Sequence, residues 1–158
     1  MPRTFRYTPE SIVIATSADL HLEFAACHVL RVGLAQGDLF AGAGRTVYLP
    51  CSAVGAVMVG AGHARQHWRR TYPWEQIRAE RRRAFALLAA EVGGASTAVA
   101  VPEEHNPEDW HQFLVQRWND EPGRTAKQVA TALRATADAA RQSTDGALRP
   151  RKPNGIAL

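Results

Sequence analysis

Cysteine is nearly missing from this chain: Cys27 and Cys51 are the only two in 158 residues. Two are too few for a disulfide framework, and a reducing, cytoplasmic setting is the simpler expectation. Lysine is equally scarce, with Lys127 and Lys152 alone among 19 basic residues, so arginine supplies nearly all the positive charge. No apolar run approaches the roughly 18–20 residues of a membrane span, so no membrane partner is expected. Residues 1–6 lack the apolar stretch and cleavage site of a secretory leader, and none is expected. The chain also shows no internal repeat.

What is present suits one globular domain. Hydrophobic residues make up 46% of the chain, enough for a packed core at this length. The net charge of +4 permits nucleic-acid or acidic protein partners without requiring them.

Helical spacing predicts a first helix over 19–31, with Leu22, Ala26, Val29 and Leu30 on one face and Gly33 and Gly37 beyond its end. A second is expected from Cys51-Ser52 to about Arg70, its apolar side marked by Val54, Val57, Met58, Ala61 and Trp68. Pro73 opens a third, which buries Trp74, Ile77, Ala84, Phe85, Leu88 and Val92 and stops at Gly93-Gly94. Asn106-Pro107-Glu108-Asp109 is a helix start of cap, first-position proline and acids, leading to an aromatic face of Trp110, Phe113, Leu114 and Trp118. The fifth helix, from Ala126 to about Gln142, buries Val129, Ala132, Leu133, Ala137 and Ala140, with Thr136 at the edge. The expectation is a mainly α fold: one helical domain over residues 1–145, about five helices, short strands near 46–49 and 98–101, and a disordered basic tail over 146–158.

The densest local signal is Trp118-Asn119-Asp120-Glu121-Pro122-Gly123-Arg124-Thr125. Asn119, Pro122 and Gly123 end a helix and turn the chain, and Thr125 with Gln128 fits a capping box at the next helix start. Asp120 is expected to accept a backbone N–H in the turn or to pair with Arg124, and Trp118 to anchor the core.

This segment, together with residues 25–37 and with Cys51-Ser52-Ala53-Val54-Gly55-Ala56, resembles an uncharacterised bacterial family found mainly in actinobacteria and sometimes in their phages. Leu34 stands where that family usually shows tryptophan. The resemblance implies a small, mostly helical fold and no activity. It draws attention to Cys51, Gly55 and the Trp118-Asn119-Asp120 run.

Three chemistries compete. Cys51 follows Pro50 at an expected helix start, where the helix dipole favours a thiolate; His63, His67 or His111 as base and Asn119 or Asp120 as orienter would complete a nucleophilic triad. The competing reading is a small buried residue beside Gly55. His63 and His67 share a helix face, but Ala64 stands where a metalloprotease needs Glu, and Arg65, Arg69 and Arg70 repel a cation, so neither metal nor cofactor is expected. Arg65, Arg69, Arg70, Arg78, Arg81, Arg82 and Arg83, with Trp68 among them, would form one phosphate-neutralising patch if their two helices are neighbours. Against this, Glu75 is spaced to pair with Arg78, and no groove-reading motif accompanies the arginines. The preferred reading is a small cytosolic accessory or regulatory protein that binds a protein partner or a second copy of itself. A nucleic-acid binder and a Cys51-dependent enzyme are the alternatives.

Overall fold

The structure, a computed structural model, describes residues 17–62, 73–93 and 101–148. Five α-helices form among them: α1 (Ala18–Val32), α2 (Ala53–Gly60), α3 (Trp74–Gly93), α4 (Pro107–Asn119) and α5 (Ala126–Leu148). The fold is mainly α. Helix α1 lies along α5 and α2, while α3 packs on α4 and α5. The shared core takes Leu22 and Val29 from α1, Val54 and Val57 from α2, Phe85 and Leu88 from α3, Val115 from α4, and Val129 and Leu133 from α5. Alanines fill the seams between them and let the helix axes approach closely.

Local chemistry explains most helix ends. Gly33 closes α1 at φ +97°, a conformation that favours glycine, and donates its N–H to Val29 O. Asn106 caps α4 by accepting the Glu108 N–H, with Pro107 in the first position. At α5 the capping box forms in both directions: Thr125 N donates to Gln128 Oε1 at 3.0 Å, and Gln128 N to Thr125 Oγ1 at 3.2 Å. One end is different. Ser17 precedes α1 but its side chain makes no cap bond. The Ala18 N–H instead donates to Glu80 Oε2 of α3 at 2.9 Å.

Several expectations are corrected. The 46–49 stretch is a short 3-10 turn, Thr46–Tyr48, because Tyr48 N and Leu49 N bond locally to Arg45 O and Thr46 O. Extended pairing falls instead at Cys51, which bridges to Leu34 and to Phe40. Helix α2 is shorter than expected. Ser52 is its cap, accepting the Gly55 N–H, and Gly62 at φ +81° follows its end at Gly60. Leu30 is 45% exposed, although helical spacing put it on the core face of α1. Thr136 is fully buried, its hydroxyl donating to Ala132 O at 2.7 Å. On α4 the buried positions are Val115 and Asn119, whereas Trp110, Leu114 and Trp118 are half-buried and Phe113 faces outward. Helix α5 continues through Gly146, where the tail was expected to begin. The expected strand at 98–101 and the end of the chain from 149 lie mostly or wholly outside the described residues. No described helix is long and apolar enough to cross a membrane.

Candidate functional site

Asn119 is the last residue of α4 and is completely buried. A buried primary amide must satisfy both its carbonyl and its NH2 group. Its Oδ1 accepts the Ala53 N–H at the start of α2, at 2.9 Å. Its Nδ2 donates to Ala35 O, also at 2.9 Å, and to Asp120 Oδ1 at 3.0 Å. One side chain thus ties the end of α4 to the beginning of α2 and to the loop after α1. The three sequence segments that carry the family resemblance meet here.

Asp120 reinforces the tie. Its Oδ1 accepts the Gly37 N–H at 2.9 Å and Gln116 Nε2 at 3.0 Å. Burial raises the pKa of this carboxyl, but the bonds from Gly37, Asn119 and Gln116 outweigh it and hold it below the ordinary value. Gln36 completes the junction by donating to both Asn119 O and Glu121 O. Gly37 is at φ +83° and Gly123 at φ +82°, so both turns need glycine. Arg124 pairs with Glu121 and not with Asp120. Its Nε donates to Trp118 O at 3.1 Å, and its guanidinium lies over the Trp118 ring, 4.2 Å from the centroid. Trp118 therefore packs its inner side on the core and carries a cation on the other.

Cys51 belongs to the same junction. Its N–H donates to Gly33 O at 3.0 Å and its carbonyl accepts the Ala35 N–H at 2.9 Å. The side chain is fully buried, and burial pushes the thiol pKa up to about 12. A thiol in that state is protonated at neutral pH, the opposite of what a nucleophile needs. Gly55 explains the tight surroundings: a Cβ there would sit 2.5 Å from Leu39 O and 3.3 Å from Cys51 Cβ. The donors on Asp120 come from Gly37, Asn119 and Gln116, with no histidine among them. His63, Arg65, His67, Trp68, Arg69 and Arg70 lie outside the described residues. Among the described residues, no three metal-type ligands gather.

The α3 arginines face acceptors. Arg81 Nε and Arg82 Nε donate to the two carboxylate oxygens of Glu108, at 2.7 and 3.3 Å. Glu108 opens α4, so this fork staples α3 to the positive end of that helix. Arg83 reaches α5, donating to Ala140 O at 3.0 Å and Ser143 Oγ at 2.6 Å. Arg78 pairs with the exposed Glu75 one turn earlier. Arg81, Arg82 and Arg83 thus tie α3 to its neighbours, while Arg78 is paired within α3.

The outer face of α4 has a different character. Phe113 is 53% exposed, its ring stacked on Trp110 with centroids 5.4 Å apart, and the His105 ring lies 5.0 Å from that of Trp110. Asp109 and Arg117 are exposed four residues before and four after Phe113. Helical spacing gives α4 an aromatic face, and of its members Leu114 and Trp118 pack against the core while Phe113 faces out. The sequence signal for the outward position of Phe113 is the charge at 109 and 117, which shares its ridge and does not bury.

A family model described as a family of unknown function (DUF6197) matches residues 14–139, a span enclosing all three junction segments. No curated protein and no solved structure matches the chain.

Proposed function

The chain belongs to this family of unknown function, and we propose that it is a small cytoplasmic accessory or regulatory protein that acts by binding a protein partner through the outer face of α4. The observation that carries this is the exposed Phe113–Trp110–His105 stack. Half-exposed aromatic side chains hold apolar surface in water that a partner's contact would remove, and Trp is frequent among residues that dominate interface energetics. The polar chemistry of the junction supports the same reading by elimination, since Asn119, Asp120 and Cys51 are occupied in holding the fold.

The test is cross-linking in the native host with the full chain and with Phe113→Ser. The expected result is a polypeptide captured by the wild type and lost in a variant of unchanged helix content. Equal capture by both overturns the proposal.

A further inference from the structure

We infer that the partner seated on α4 is a second copy of this chain, its α4 running antiparallel about a twofold axis through Phe113. The inference rests on the α4 binding reading above and adds the occupant. Inward residues of α4 are Val115 and Asn119, with Glu108 turned toward the α3 arginines. On the opposite side Asp109, Phe113 and Arg117 follow one another at intervals of four, and all three are exposed. Residues so spaced form a single ridge along a helix.

The ridge is self-complementary in one orientation only. Asp109 and Arg117 lie equally far from Phe113, about 6 Å along the axis in each direction at 1.5 Å per residue. Antiparallel pairing about Phe113 sets each Asp109 against the other copy's Arg117, twice by symmetry, as an isologous interface demands. Parallel pairing opposes like charges at both ends. An acid early and a base late in a helix also suit its own dipole, so the charges alone require no partner. The exposed aromatic placed at their midpoint, with Trp110 stacked beside it, is what the dipole leaves unexplained. Among the described residues neither Asp109 nor Arg117 forms an ion pair.

Sedimentation of the full chain over a wide concentration range at low salt tests this. A concentration-dependent dimer is expected. Asp109→Arg or Arg117→Asp alone should weaken it about tenfold or more, because each reversal sets like charges together at two symmetric places. The double variant Asp109→Arg with Arg117→Asp should restore it, and Phe113→Glu should abolish it, with helix content checked by circular dichroism in each case. A wild type that stays monomeric, a dimer indifferent to Phe113→Glu, or a double variant no better than the singles overturns the inference. A monomer that still cross-links a different polypeptide through Phe113 leaves the binding reading standing while this one falls. Loss of both signals brings down both.

Discussion

The amide oxygen of Asn119 accepts the backbone N–H of Ala53 at 2.9 Å across 66 residues of sequence. That bond satisfies an amide at the α2 N-terminus which has no partner inside its own helix. The same side chain answers Ala35 O, so removing it leaves two buried backbone groups without their bonds.

Asn119→Ala is therefore expected to destabilise the protein by about 3 kcal/mol, since each orphaned buried group costs on the order of 1–3 kcal/mol. Asn119→Asp should be nearly as damaging, because a carboxylate cannot donate to Ala35 O and meets Asp120 at close range. Urea unfolding measures both. A loss under 0.5 kcal/mol would show that the junction relaxes around the gap.

Two glycine substitutions should separate crowding from backbone conformation. At Gly55 a new Cβ meets Leu39 O at 2.5 Å, so Gly55→Ala must push the 39–41 loop away from α2 and should cost about 2 kcal/mol or more. At Gly37 nothing lies within 4 Å, and only the φ of +83° resists a side chain; there alanine should cost about 1 kcal/mol. Equal effects at the two positions would contradict the close approach at Gly55.

Acid should destabilise the fold through one buried imidazole. His28 is completely buried and stacked on Phe24; burial, helped by Arg31, pulls its pKa from 6.5 to about 4. The unfolded chain binds the proton more readily, so stability is complete above pH 6.5 and falls as pH drops from there to about 4. The loss approaches about 3 kcal/mol for this one group. His28→Gln should flatten that part of the stability profile. An unchanged slope between pH 6.5 and 4 would place the effect elsewhere.

Thiol labelling distinguishes the two cysteines. Cys27 is partly exposed and should react with a small alkylating reagent in the native state, whereas Cys51 should react only as the protein unfolds. Peptide mapping after partial labelling reads this directly. Rapid native labelling of Cys51 with a midpoint near neutral pH would revive the nucleophile reading.

Where chemistry is local, the sequence was a sufficient guide. Asn106-Pro107 and the Thr125–Gln128 box each carry their partners within a few residues, and both form as read. The junction between α4 and α5 was legible for the same reason, down to the positive φ of Gly123. What escaped was non-local. Nothing near Asn119 announces that its amide will serve Ala53 and Ala35. The arginines of α3 look like a free cationic strip until Glu108, 26 and 27 residues on, is folded against them. His21 and His28 belong to the same class, since nothing local marks either for burial, and both are sealed in the helix packing. The α4 aromatic face was legible as a face, but helical spacing alone does not say which of its members turns to the core and which to the outside.

The Glu80 carboxylate that receives the Ala18 N–H comes from a residue made 62 positions later. On the ribosome, the first turn of α1 emerges well before its own cap exists. Its Ala18 N–H has no Glu80 acceptor until α3 has been synthesised and packed against it. Completion of the earliest described helix is thus a late event in the life of the nascent chain, timed by the arrival of one glutamate.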